Sequence, residues 1–160
     1  ATSLFAQFDN IVVLRTLSKA YALAAARIGV VIANADIIRV LRNICAPYPV
    51  PTPCAQQALA GLSDDNIAQA KLRSDISIKS REHVIAVLKT LRAVKQVYAS
   101  EGNYVLARFS DAEKAFQACL SAGVVVRDMR ANAALSDALR MSIGTPDEND
   151  ALLKALETLS

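Results

Sequence analysis

Two hydroxyls, an amine and a guanidinium lie close together in the run Thr16-Leu17-Ser18-Lys19 and the following Arg27. A deprotonated lysine is a nucleophile that condenses with an aldehyde to a Schiff base. Hydroxyl donors and the fixed fork of an arginine suit a phosphate. The set therefore fits a ligand carrying both an aldehyde and a phosphate, and pyridoxal 5′-phosphate (PLP) is such a molecule. The same residue types also allow a plainer arrangement, with Lys19 ending a strand and reaching solvent while Arg27 makes an ordinary ion pair.

The flanking residues say what would hold this group. Ile11 to Leu14 is a continuous β-branched and aliphatic run, too short for a helix and suited to a strand buried on both faces of an α/β sheet. Open α/β sheets bind ligands at the carboxyl ends of such strands, where Thr16 to Lys19 follow. Ala20, Ala22 and Ala24 to Ala26 come next, and a second apolar run covers Ile28 to Ala33. Apolar strand and alanine around Lys19 are expected to strip water from its ammonium and favour the neutral amine.

Composition narrows the field further. The 160 residues carry 18 Lys plus Arg against 15 Asp plus Glu, a net charge of +3 without a basic block. That pattern argues against nucleic acid and against a polybasic membrane anchor. No apolar run reaches the length of a membrane span, and the residues from Ala1 on do not read as a signal peptide, so a cytoplasmic protein is expected. Cys45, Cys54 and Cys119 lack metal-ligand spacing and read as free thiols, so no metal site is expected. His83, the single histidine, has no Ser, Cys or acid motif beside it and reads as a solvated or capping side chain.

Along the chain, residues 1 to 10 place Leu4, Phe5 and Phe8 at helical spacing before Asp9-Asn10, a turn signal. Asn34 is a plausible N-cap for a helix over Ala35 to Ile44, with Ile37, Ile38 and Leu41 on one face and Arg39 and Arg42 on the other. Ala46 to Pro53 has proline at alternate residues, which forbids helix and reads as an extended linker. A short helix is expected over Cys54 to Leu62 and a long one over Asn66 to Leu91. Beyond residue 92 the periodicity predicts strands at Val94 to Tyr98 and Tyr104 to Phe109, a helix at Asp111 to Ala122 closed by Gly123, strands at Val124 to Arg127 and Leu139 to Ile143, and a terminal helix at Asp147 to Leu159. This is a compact α+β layer. Arg127 and Arg140 follow apolar strand residues in it. A buried guanidinium must meet an anion or solvent, and the register that would orient each is not fixed by sequence. Arg127 could pair with Asp128, and Arg140 with Asp137.

The segment RTLSKAYALAAARIGVVIAN resembles the lysine segment of fold-type I PLP-dependent aminotransferases: a hydroxyl residue, Ser-Lys, small residues, then Arg-x-Gly. Four further stretches resemble the histidinol-phosphate branch of that family, in its order. They are Ala46 to Pro53, Gly102 to Phe109, Val126-Arg127-Asp128 and Leu139 to Thr145. The resemblance implies an α/β fold: the end of a large PLP-binding domain with a parallel-sheet lysine strand, followed by a small α+β C-terminal domain. The implied divisions are 1–62 for the large-domain piece, 63–92 for an interdomain helix and 93–160 for the small domain. It implies Lys19 as the catalytic, cofactor-linked residue, with Thr16, Ser18 and Arg27 on the cofactor phosphate. Arg127 and Arg140 would hold the acidic ends of substrates, and Tyr48 could face the substrate.

The implied activity is transamination of L-histidinol phosphate with 2-oxoglutarate, yielding glutamate, by a homodimer. Other readings are an aromatic amino-acid aminotransferase, a threonine-phosphate decarboxylase or a non-catalytic piece acting as a dimerisation module. In the family the lysine falls well past the middle of the chain, so these residues resemble its C-terminal part. The chain alone is then expected to bind PLP poorly. Two positions depart from the family pattern. Ala25 replaces a usual glycine and could crowd its turn. Asp137 replaces a small residue and would set a carboxylate near the anion clamp.

Overall fold

The computed structural model describes residues 2–159, which form two compact units, one running to Arg73 and the other starting at Ser74.

In the first unit, a 3-10 turn over Thr2–Ala6 stands where helical spacing predicted a longer helix. Short helices without a packed face do not propagate, and Phe8 stays exposed. Strand β1 (Val12–Thr16) pairs antiparallel with β2 (Gly29–Ala33), with Val12 opposite Ala33 and Thr16 opposite Gly29. The second apolar run is thus the antiparallel neighbour of the lysine strand, and among the described residues no other strand joins this ribbon. Parallel pairing requires a crossover of a dozen or more residues, usually helical, that returns the chain to its starting edge. Here the connection holds only turns and a 3-10 segment, Ala24–Ala26, so the chain doubles back. The expected burial on both faces is also absent: Leu14 is 73% exposed, and Val12, Val30, Val31 and Ile32 are exposed as well. A run of aliphatic residues specifies a strand but not what covers it.

Helix α1 (Ala35–Ile44) begins as expected, the Asn34 side chain accepting from the Asp36 amide. Ile37, Ile38 and Leu41 are partly covered, and Arg39 and Arg42 face solvent. After the prolines, α2 (Thr52–Gly61) carries Pro53 in its first turn, where a missing N–H costs nothing. Helix α3 (Asp64–Leu88) follows; it starts two residues earlier and stops three residues sooner than the periodicity suggested.

In the second unit, β3 (Val94–Val97), β4 (Tyr104–Phe109), β5 (Arg127–Asp128) and β6 (Ala138–Ser142) form an antiparallel sheet in the order β3-β4-β6-β5. Helix α4 (Ala112–Ser121) lies between β4 and β5 in sequence, and α5 (Pro146–Glu157) follows β6. Val105, Ala107, Phe109, Leu139 and Met141 alternate onto one face and bury themselves with Val84 and Leu88 of α3, Ala115 and Cys119 of α4, and Leu152 and Leu156 of α5. Cys119 is fully buried, and burial pushes its thiol up to about 11.

The strand expected over Val124 to Arg127 pairs only at Arg127 and Asp128, because Val126 turns into the core instead of along the sheet edge. Two caps close the helices. The Gly123 amide donates to the Leu120 carbonyl and the Val124 amide to the Cys119 carbonyl, a Schellman arrangement with Gly123 at φ +75°. Thr145 and Glu148 exchange hydrogen bonds in a capping box that starts α5.

Candidate functional site

Lys19 sits in the loop leaving β1, and its shape is set by three hydrogen bonds. The Leu17 amide donates across the ribbon to the Ile28 carbonyl at 3.4 Å, the Leu23 amide to the Leu17 carbonyl at 3.0 Å, and the Ala22 amide to the Lys19 carbonyl at 2.9 Å. The chain turns sharply at Ala22 (φ 56°) and Arg27 (φ 55°), both in the left-handed region. Leu17 is buried beneath this loop, whereas Lys19 is exposed. Within this unit neither the apolar strand nor the flanking alanines cover Lys19.

The two hydroxyls do come together. Thr16 Oγ1 donates to Ser18 Oγ at 2.8 Å and accepts from the Ser18 amide at 3.1 Å. Thr16 stands opposite Gly29, and the Leu17–Ile28 bond carries that register one residue further. Ser18 and Arg27 each lie one residue beyond that bond, at the same end of the ribbon. Arg27 is itself tethered, Nη1 donating to the Ala24 carbonyl at 3.1 Å. The paired hydroxyls, the exposed Lys19 and the tethered Arg27 all belong to the segment joining one end of the ribbon, and these residue types suit a phosphate beside an aldehyde. Ala25 lies in the 3-10 turn outside the left-handed region and is exposed, so the crowding expected of its β-carbon does not arise. Tyr48, at the turn among the prolines, is 94% exposed.

The second unit aligns its arginines. Arg127 and Arg140 are directly opposed partners of β5 and β6 and so share one face of the sheet. Arg140 stands two residues from Ala138 and opposite Leu106, putting both arginines on the face away from α4 and α5. Two like charges placed directly opposite repel unless an anion joins them. Neither makes the local pair considered from sequence. Asp128 accepts from Arg130, and Asp137 from Arg108 at 2.8 Å and Lys95 at 3.4 Å. The carboxylate expected to disturb the anion clamp is held by these two cations, because Asp137 lies beside the end of β4 that carries Arg108. Arg140 instead lies 5.3 Å from the centroid of the Tyr104 ring, a cation–π contact, and its Nε is buried without a hydrogen-bond partner. Arg127 is exposed.

Sequence reading missed Tyr104. Its signal was the alternation that sets Tyr104, Leu106 and Arg108 on one face of β4, which becomes informative only once the β4–β6 register is known. Among the described residues no group of three or more His, Cys, Asp or Glu side chains could hold a metal.

Residues 2–156 match the family model for aminotransferase class I and II. The chain is 57% identical over 157 residues to a histidinol-phosphate aminotransferase of Xanthomonas campestris pv. campestris, covering 98% of this chain and 43% of that protein. The chain therefore spans less than half the length of that curated relative. Among solved structures, the histidinol-phosphate aminotransferase from Clostridium acetobutylicum superposes with a TM-score of 0.82 at 22% identity, covering 99% of this chain and 48% of that one. The Sinorhizobium meliloti histidinol-phosphate aminotransferase in complex with pyridoxal 5′-phosphate gives 0.70 at 24% identity, covering 96% and 42%. At these identities the two structures speak for the fold.

Proposed function

The chain belongs to the aminotransferase class I and II family, and from that premise we propose that it is part of a PLP-dependent transaminase acting on L-histidinol phosphate, with glutamate and 2-oxoglutarate as the other pair. The observation that carries the reading is the 57% identity over nearly the whole chain to a histidinol-phosphate aminotransferase. The paired hydroxyls, exposed amine and tethered guanidinium at the end of the β1–β2 ribbon support it from the chemistry.

When bound, PLP supplies an electron sink for the charge that develops when a proton leaves the substrate α-carbon. Lys19 would hold the cofactor through its amine and, as a free amine, would be the base that moves that proton. Ser18, and Thr16 once its hydroxyl turns away from Ser18, would donate to the cofactor phosphate, and Arg27 would add a charged fork. Arg127 and Arg140 meet the anionic end of the substrate, where phosphate or carboxylate relieves the repulsion between the two guanidiniums. In this reading residues 1–62 serve the cofactor, 63–92 link, and 93–160 serve the substrate.

Among the described residues no helix is long and apolar enough to cross a membrane. From the family resemblance we carry over a homodimer working in the cytoplasm.

The test is excess PLP added to the complete enzyme, followed by borohydride and peptide mapping. Lys19 should gain a pyridoxyl group ahead of every other lysine, and Lys19→Ala should remove that preferred site. Equal labelling of all lysines overturns the assignment. Comparing histidinol phosphate with aromatic amino acids as amine donors to the complete enzyme then decides the substrate.

A further inference from the structure

Arg81 is the one charged side chain buried with the core of the second unit among the described residues, only 7% exposed on α3. Burying a guanidinium is costly unless its donors are used. Those of Arg81 go to one place, the turn before β4. Its Nη1 donates to the Gly102 carbonyl at 3.1 Å, Nη2 lies 3.7 Å from the exposed Glu101 carboxylate, and Nε has no partner. The Ser100 hydroxyl holds the same turn from within, accepting from the Gly102 amide at 3.1 Å.

What the turn carries is Tyr104. The ring lies so close over Gly102 that a β-carbon there would come within 2.8 Å of Cε1 and 3.1 Å of Cδ1. The Arg140 guanidinium in turn rests against that ring, 5.3 Å from its centroid. An unbroken set of contacts therefore runs from Arg81 through the Gly102 carbonyl and the Tyr104 ring to Arg140. Its far end has an unsatisfied, buried Nε and faces Arg127.

We propose that Arg81 is a positioning residue for Arg140, fixing through Gly102 and Tyr104 the direction in which the Arg140 guanidinium presents its donors to an anion. The proposal rests on the reading of Arg140 as an anion-binding residue. A lone flexible arginine would lose much of its affinity to side-chain entropy, and a ring locked from behind removes part of that loss. The carbonyl of Gly102 serves as the handle because a hydrogen bond to a backbone atom sets the turn itself, not merely one rotamer within it.

The test uses the whole chain labelled with 15N at arginine and titrated with inorganic phosphate, reading the Nε–Hε signal of Arg140 and its ring-current shift from Tyr104. In Arg81→Met the ring-current shift should change and phosphate affinity at Arg140 should fall about fivefold, the size of one net hydrogen bond. Arg81→Lys, which keeps a charged donor, should restore part of both. Gly102→Ala leaves Arg81 in place but drives a β-carbon into the Tyr104 ring; it should move the Arg140 signal in the same way, and it answers the question if Arg81→Met does not fold. An Arg140 signal and phosphate affinity unchanged in a folded Arg81→Met overturn the proposal. If phosphate leaves the wild-type Arg140 signal unmoved while Arg81→Met still alters the ring-current shift, the positioning stands and the anion-binding role falls.

Discussion

Asp128 accepts from Arg130 at Nε (2.9 Å), at Nη2 (2.8 Å) and at its backbone amide (2.9 Å), and this pulls its carboxyl from an ordinary 3.8 down to about 2. Arg130 also reaches Glu113, lowering that carboxyl too, and rests 5.4 Å from the Phe116 centroid. A depressed folded value means the ionised carboxylate favours the folded state. That contribution is complete above the ordinary value near 4 and is lost as pH falls through about 2. Urea midpoints followed by circular dichroism should therefore drop between pH 4 and pH 2, and Asp128→Asn should flatten that drop; an unchanged acid slope would count against the Arg130 cluster. At this scale the sequence was readable in part. The types and spacing of Thr16, Ser18, Lys19 and Arg27 allow an aldehyde and a phosphate, but they fit a plain strand-end lysine as well, and only the family resemblance favours the first. The partners of Asp128 and Asp137 did not show, because nearest-in-sequence was a poor guide: Arg130 and Arg108 took the acids assigned to Arg127 and Arg140.

Element boundaries follow from caps more than from propensity. Asn34, Pro53 and Gly123 each stand at a helix end for a local backbone reason and were visible in the sequence, whereas the Thr145 cap was not, the terminal helix having been expected from Asp147. Gly123 gives a clean test, since its φ is +75° and nothing lies within 4 Å of a β-carbon placed there. Gly123→Ala should cost about 1 kcal/mol from backbone strain alone, measured as a fall in the urea midpoint at constant slope. A neutral result would mean that the turn relaxes. Thr145→Ala should cost a similar amount, about 1 kcal/mol, by opening the capping box. Strand pairing, in contrast, was hidden. Val12 to Leu14 looks the same as an edge, a ribbon or a central strand, because a continuous aliphatic run carries no alternation to betray which face is covered.

Across the whole molecule the two units differ in how much they bury. The second gathers Val105, Phe109, Leu139, Met141 and Leu156 into one core, whereas among the described residues the buried positions in the first are Leu17, Ala26, Ala58 and Ala70. Amide hydrogen exchange should accordingly be slow across β4 and β6 and fast across β1 and β2, and equal protection would contradict the division. The α+β layer of the second unit was legible because its alternating strands bury one face, and alternation is what a sequence displays best. The cysteines turn this difference into something that can be timed. Cys45 stands in the open and Cys54 is half-covered, both in the first unit, while Cys119 is sealed in the second. With its thiol pushed to about 11, Cys119 at pH 8 is ionised in only about one molecule in a thousand. A thiol reagent will therefore mark the first unit at once and must wait for the second to open, so the chain carries a clock whose slow hand reads the unfolding rate of its own core.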